Sequence, residues 1–437
     1  MDELILALWA ICSIYLLRAP RAIAVGLILA SALVFPEFLR VTIGPTQMSL
    51  MRLLALSLAM SLFLKRNGLL QWHKADTLVI FLWLWTILSS LLAGSSDYVV
   101  QYIGAGLDTV LVYFVVRLSI NSQTDLRSLV MVISGCIIIL GSLGLYEAIT
   151  FDSPYRYFDQ FKKWTWIEKE PDFRLGLLRA KGSTSHNIVF GTTLVVLLGL
   201  CWLGSVLKVP RSYTRVALVC AFLGIFSSLS SGAWLGLVGL LVFRSYQTRR
   251  HLIRPTVLLL VGISVVLEVL SNRHFYNLID YLALNSQTAW YRTRLLEVAV
   301  SQWREFWLVG VGDQIPHHWG ALIDGRKHVD VVNHFLLIGL QSGFLGVGLY
   351  VSTHYVAIRF ASNVGRRLAG DSNSRTILYF LCCTLLAIDF MSLSVSLFGP
   401  ERILGYAILG ITISYAQNAQ NAQNAQNAKN EVLSMRR

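Results

Sequence analysis

Charge is what this sequence has least of. Only 14% of its 437 residues are charged, against 55% hydrophobic, where a soluble domain carries about a quarter charged. That is too little polar surface to cover a water-soluble globule. The apolar residues form continuous blocks approaching twenty residues, which excludes the short alternation of an outer-membrane barrel. A polytopic helical membrane protein is the class that remains. Acidic residues are scarcer than basic ones, 24 against 37. In a soluble protein the resulting +13 would suggest nucleic acid. Here Lys and Arg sit mainly in short loops between apolar runs, as topology control requires, so no nucleic-acid partner is expected. The six cysteines (Cys12, Cys136, Cys201, Cys220, Cys382 and Cys383) all fall inside apolar runs. A disulfide framework is therefore not expected, and no Cys-x-x-Cys, His-Glu-x-x-His or Walker A pattern offers a metal or nucleotide site. No cofactor is expected. The chain begins Met-Asp-Glu without a basic leader region, so its first apolar run is expected to be a retained span.

The runs predict thirteen spans, at 4–17, 22–36, 48–64, 77–94, 98–118, 128–149, 188–207, 216–230, 231–243, 256–270, 333–358, 376–397 and 403–415. Loops after odd-numbered spans hold most of the cations, among them Arg18, Lys65, Arg117, Lys208, Arg249, Arg250, Arg366 and Arg367. Short loops after even-numbered spans hold only Arg40 and Arg402. The positive-inside rule then places both long loops, 150–187 and 271–332, on the outer side. Asp108, Glu147, Glu268 and Asp389 lie within spans, where a charge is costly, and each should face a partner or a cavity. A carboxylate as deep as Asp108 is also what ion-coupled transport would use. From Ala416 the chain repeats Ala-Gln-Asn; a period of three fits neither a helical nor a strand face, so 416–437 is expected to be disordered.

Chemistry is expected on the outer loops. The first combines Tyr155, Tyr157, Phe158, Trp164 and Trp166 with Arg156, Lys162, Lys163, Lys169, Arg174 and Arg179. That pattern reads as an interfacial belt, as a surface that stacks sugars and attracts phosphates, or as both. Its end, Arg179-Ala-Lys-Gly-Ser-Thr-Ser-His-Asn-Ile-Val-Phe-Gly191, leads straight into a span and holds Arg179 and His186 near the outer surface. Phe226-Ser-Ser-Leu-Ser-Ser-Gly-Ala-Trp234 reads as a tight outer turn between closely packed helices. In the large loop, Leu295, Leu296, Val298, Ala299, Trp303, Phe306 and Trp307 recur at helical spacing, with Arg292, Arg294, Glu297 and Arg304 between them. An amphipathic surface helix is expected, its arginines bound to headgroups, to solvent or to a pyrophosphate. Beyond Gly310-Val-Gly312 come His317, His318, Asp324, His328, Asp330 and Asn333-His334. Of these, Asp330 or His334 is the candidate general base towards a hydroxyl.

These segments resemble the O-antigen ligase/polymerase superfamily of bacterial envelope glycan transferases. The resemblance is carried by Arg179 to Gly191, Leu229-Ser-Ser-Gly-Ala-Trp-Leu235, Tyr291-Arg292, Gly310-Val-Gly312, and Asn333-His-Phe-Leu336 followed by Gln341-Ser-Gly343-Phe-Leu-Gly346, and it covers about 179–346. Many members place a catalytic His directly before the Asn; here that position is Val332, which favours the polymerase branch. The resemblance implies a metal-independent glycosyltransferase in the bacterial inner membrane, with its long loops periplasmic and its tail cytoplasmic. It would use an undecaprenyl-pyrophosphate-linked oligosaccharide as donor to build exopolysaccharide or O-antigen, among membrane lipids and beside chain-length and export proteins. Arg292, His334 and Asp330 would be catalytic, and Arg179, Arg294, Asn333 and His186 would bind substrate. A ligase transferring polymer to lipid A-core, and a polysaccharide transporter or flippase, are the alternatives.

Overall fold

The computed structural model describes residues 2–44, 46–64, 70–95, 98–161, 172–247, 286–312, 315–325, 329–368 and 370–435, with isolated positions between 249 and 265. The apolar runs fold as helices throughout. They are α1 (Asp2–Arg18), α2 (Arg21–Val34), α3 (Leu50–Leu64), α4 (Lys74–Leu92), α5 (Val99–Ser119), α6 (Gln123–Thr150), α7 (Asn187–Cys201), α8 (Arg211–Ser227), α9 (Ser231–Ser245), α10 (Ser286–Ser301), α11 (His317–Leu322), α12 (His334–Arg367), α13 (Ser372–Ser392) and α14 (Pro400–Met435). The only strands among the described residues are two hairpins, β1–β2 (Arg40–Ile43 with Thr46–Ser49) and β3–β4 (Phe173–Arg174 with Leu177–Leu178). Helices α4, α5, α6, α7, α12 and α13 are each long and apolar enough to cross a membrane. The protein is an all-α polytopic membrane protein. Apart from 256–270, which lies almost wholly outside the described residues, every expected span coincides with a helix.

Helix α7 is the hub. It is buried along nearly its whole length and touches α6, α8, α9, α13 and α14. Small residues allow that crowding: a methyl on Gly199 would lie 2.5 Å from Thr384 Oγ1. Large apolar side chains that point away from the bundle, such as Ile11, Phe63, Phe81 and Leu92, are exposed, as a lipid-facing surface requires. The charges within spans find partners. Asp108 takes a two-pronged bond from Arg52 (2.8 and 2.6 Å) inside a π-helical turn of α5, Leu107–Leu111. Asp389 meets His354 Nδ1 at 2.5 Å, and Glu147 accepts the Gly182 amide at 2.9 Å. Glu268 lies outside the described residues.

Helix α12 departs from the expected single span. At Ser342 (φ −146°, ψ 17°) and Gly343 (φ 67°, ψ −176°) the chain leaves helical geometry and doubles back. A methyl on Gly346 would lie 3.5 Å from Ile338 Cγ2, where eight residues of continuous helix would separate them by about 12 Å. His334 and Phe335 likewise bring their rings to within 5.2 and 5.8 Å of Tyr350. Residues 334–342 are therefore the short arm of a helical hairpin. The reversal frees backbone groups, and three neighbours satisfy them: Val311 N donates to Leu340 O (2.7 Å), Trp85 Nε1 donates to Ser342 O (2.7 Å), and Phe344 N donates to Trp307 O (2.8 Å). Gly310 fits here because a methyl on it would sit 2.5 Å from Leu340 O.

Above the hairpin, α10 and α11 form a small cap with its own apolar cluster. Tyr291, Leu295, Val298, Ala299, Phe306, Trp319, Ile323 and Leu340 are its buried members. The helix expected from about Trp290 to Trp307 is present as α10 but ends at Ser301, before a 3-10 turn at Trp303–Glu305, and its buried Tyr291, Leu295, Val298 and Ala299 close this cluster.

The tail corrects the expectation of disorder. Helix α14 continues through the Ala-Gln-Asn repeats to Met435. Ala and Gln are good helix formers, and the first repeats are tied to the bundle. Gln417 Oε1 accepts from Arg117 (2.6 Å), whose guanidinium also holds the buried Asp76 (2.7 Å). Asn418 donates to Asn121, Asn421 to the side chain of Gln71, and Gln423 to Arg367 O.

Candidate functional site

The ends of α2, α6, α8 and α13 and the starts of α7, α12 and α14 meet at one end of the bundle, under the cap. Positive charge collects there. The β3–β4 hairpin turns on Leu175 and Gly176, both at positive φ, the pair that a tight two-residue hairpin needs. Strand alternation leaves Phe173 exposed and turns Arg174 inward, where its Nη1 donates to Leu229 O at 2.8 Å. Five residues on, Arg179 donates to Ser228 O (3.3 Å) and Asp172 Oδ2 (2.5 Å). Ala180 N donates to Ser227 O at 3.0 Å. The turn that follows α8 is thus the anchor for both arginines, just past the negative end of the helix dipole, where cations are favoured.

The serine turn after α8 is the tight turn expected. Ser227 and Ser228 bond back to Gly224 O and Ile225 O and are buried. Gly191 of α7 packs on it, since any methyl at that position would overlap Ser228 Oγ.

From the cap, α10 adds Arg292. It is 7% exposed and its Nε has no hydrogen-bond partner among the described residues. Burial, and then the like charge of Arg174, lower its proton affinity. Arg174 is held down the same way, by burial and then by Arg179. Arg174 therefore stands in the field of Arg179 on the same hairpin and adds to the field at Arg292 on the cap, with Asp172, paired to Arg179, acting on Arg174 as well. Like charges gathered under partial burial favour a guest anion, and guanidinium forks suit phosphate oxygens.

The other sequence-expected residues divide. Arg294, two positions on, faces away from Arg292 and pairs with Glu297 (2.9 Å) and Leu322 O (3.1 Å). His186 caps α7, its Nδ1 accepting from Ile188 N at 3.2 Å. Asn333 caps α12 through Leu336 N (2.9 Å) and donates to Leu393 O (2.9 Å). Asp330 is exposed, and its carbonyl takes the Tyr291 hydroxyl at 2.7 Å.

His334 is buried, with Nδ1 accepting from Leu397 N at 3.3 Å. A neutral ring in that position carries its proton on Nε2 and keeps no acceptor for a hydroxyl. The geometry of His334 is therefore that of a strut between α12 and the 393–399 loop. Val332 packs on the cap's apolar cluster. Among the described residues no group of three or more His, Cys, Asp or Glu side chains is arranged to hold a metal, and His328 lies outside them.

Arg174 is the residue that the sequence did not single out. Its signal was there: Phe-Arg-Leu-Gly-Leu-Leu178 alternates around a glycine as a short hairpin does. Beside this end, Val34, Phe35, Pro36, Leu143, Pro154, Tyr155 and Phe158 line a mostly apolar cavity of about 250 Å³. Neither a protein-family model nor a curated protein matches this chain.

Proposed function

We propose that this protein is a membrane glycosyltransferase that moves a glycan from a polyprenyl-pyrophosphate carrier to a hydroxyl of another lipid-linked repeat unit, at the outer face of the bacterial inner membrane. The observation that carries the reading is Arg292: a nearly buried guanidinium with an unpartnered Nε, set beside Arg174 and, through it, Arg179. A stable fold has no use for such repulsion unless an anion offsets it. A lipid-linked pyrophosphate supplies that anion at the depth where these loops meet the spans.

The chemistry asked of the protein is modest, because the leaving group is already a pyrophosphate. When the anomeric C–O bond breaks, the electron pair leaves on the phosphate oxygen, and Arg174, Arg179 and Arg292 hold that charge in a partly dry, prearranged site. Polymerisation is favoured over ligation because Val332, where ligases resembling this chain have histidine, is committed to apolar packing. Ion-coupled transport is disfavoured because Asp108 and Asp389 are both paired.

The test is turnover by the purified protein in lipid nanodiscs, given lipid-linked repeat unit extracted from cells lacking it. A ladder of lengthening products is expected. Arg292→Ala and Arg179→Ala should each slow it on the order of 10²–10³, as loss of a preorganised charge contact does. Normal yield and length in both variants would overturn the assignment.

A further inference from the structure

A second cluster lies on the same side of the bundle and is left unused by the arginines. Glu37 follows α2, while Glu401 and Arg402 open α14, more than three hundred residues later. Gly399, at φ 92°, brings them together: a methyl there would lie 2.6 Å from Glu37 Oε1. Glu401 is fully buried; its Oε1 takes the Phe398 amide (3.2 Å) and its Oε2 has no partner. Glu37 Oε1 and Arg402 Nε are likewise buried without a partner. Two carboxylate oxygens and one guanidinium N–H are therefore unsatisfied on residues that meet around Gly399.

These three atoms describe a ligand. It must offer two donors and one acceptor close together, as two neighbouring hydroxyls of a sugar do. Pro36, next to Glu37, lines the 250 Å³ cavity whose other walls include Phe35, Tyr155 and Phe158. An aromatic and proline wall beside a polar corner suits the apolar face of a pyranose. The loop 179–186 joins this corner to the arginines. Its Arg179 belongs to the cationic cluster, and its Ser185 lies close enough to Glu37 to favour the ionised carboxyl.

We infer that Glu37, Glu401 and Arg402 form the binding site for the acceptor sugar, with Glu37 as the general base; this rests on the glycosyl-transfer reading above. The acceptor O–H bond breaks and its proton passes to the Glu37 carboxylate. The acceptor oxygen bonds the anomeric carbon of the donor as the carbon's bond to pyrophosphate breaks, and the pyrophosphate leaves towards Arg174, Arg179 and Arg292. Burial raises the proton affinity of Glu37, while Ser185, Arg40 and Arg402 hold it down. Glu401 is raised as well, by burial and then by the charge of Glu37. A carboxylate poised this way is a stronger base than a solvated one.

The experiment compares Glu37→Gln with wild type in the nanodisc assay. The readouts are kcat and kcat/KM against pH, together with thermal stabilisation by the extracted lipid-linked donor. Loss of the base should lower kcat about 10²–10⁴-fold and abolish the acidic limb of the pH profile. Stabilisation by donor should persist in Glu37→Gln and fall in Arg292→Ala. Ser185→Ala, at an exposed position, should move the acidic limb to higher pH, because it removes a bond that favours the ionised carboxyl. A wild type that makes no polymer defeats the functional reading itself. A wild type that polymerises, with Glu37→Gln equally fast at every pH or with the limb unmoved in Ser185→Ala, defeats the acceptor site alone.

Discussion

Arg292 illustrates how a residue can be held for function against its own stability. Its guanidinium is nearly dry, lacks a bond at Nε and faces the charge of Arg174. Each of those terms opposes folding. Arg292→Ala should therefore leave the melting temperature of the purified protein unchanged or higher, even as polymer formation collapses. A large fall in melting temperature would mean that the residue is structural. Lysine should not rescue it, since a point charge cannot reproduce a planar fork on phosphate. Glu37 gives a pH signature of its own. Its folded proton affinity lies above the ordinary carboxyl value of 4.5. As pH rises from there, the unfolded chain gives up that proton first, so this group removes stability until the folded carboxyl also ionises. The difference in melting temperature, Glu37→Gln minus wild type, should be near zero below about pH 4.5. It should climb through the acid range above that and then level off. A difference curve that is flat throughout would show Glu37 to be unperturbed.

The helical hairpin of α12 depends on two close backbone approaches. Gly343 takes φ 67°, where an added methyl would overlap Leu308 O, and a methyl on Gly310 would lie 2.5 Å from Leu340 O. Gly343→Ala adds about 1–3 kcal/mol for a positive-φ, extended-ψ backbone that essentially only glycine adopts, and its methyl overlaps a carbonyl that cannot move freely. The expected result is a clearly lower melting temperature and faster proteolysis between Trp303 and Gly312. Gly348→Ala, with nothing within 4 Å of the added carbon, should behave as wild type. Equal behaviour of the two variants would mean that α12 does not double back. The sequence made the spans legible because continuous apolar runs admit few other structures. It hid the hairpin because 334–358 is apolar in both arms, and only Gln341-Ser-Gly343 interrupts it. It misled on the tail because three-residue periodicity says nothing of the bonds from Gln417, Asn418 and Asn421 to loops three hundred residues away. Arg179 was legible as a cation at a loop exit, and Arg292 as a cation on an amphipathic helix. Pairing Glu37 with Glu401 depends on tertiary packing that no local pattern records. Asp330 and His334 were singled out by residue type; the His334 ring is committed to Leu397 N, while the Asp330 side chain is exposed.

At the scale of the molecule, the arginine cluster, the acidic corner and the cap occupy one end of the bundle, while the docked tail and the Asp76–Arg117 pair occupy the other. The cation-rich loops lie at the second end, and under the positive-inside rule we propose that this second end faces the cytoplasm and the cap end faces outward. That arrangement suits a substrate delivered to the outer leaflet. It can be checked without any activity assay, in intact cells, with a thiol reagent that cannot cross membranes. Leu175, at the tip of the β3–β4 hairpin, is 83% exposed, and Asn430 lies on the exposed end of α14. Leu175→Cys should label in intact cells, and Asn430→Cys only after the membrane is opened. The native thiols should add little background, because four are buried and Cys12 and Cys220 are half-buried within helices. If Asn430→Cys labels from outside and Leu175→Cys does not, the bundle is inverted. The arginines would then face the cytoplasm, where glycan transfer from a carrier already moved to the outer leaflet could not occur.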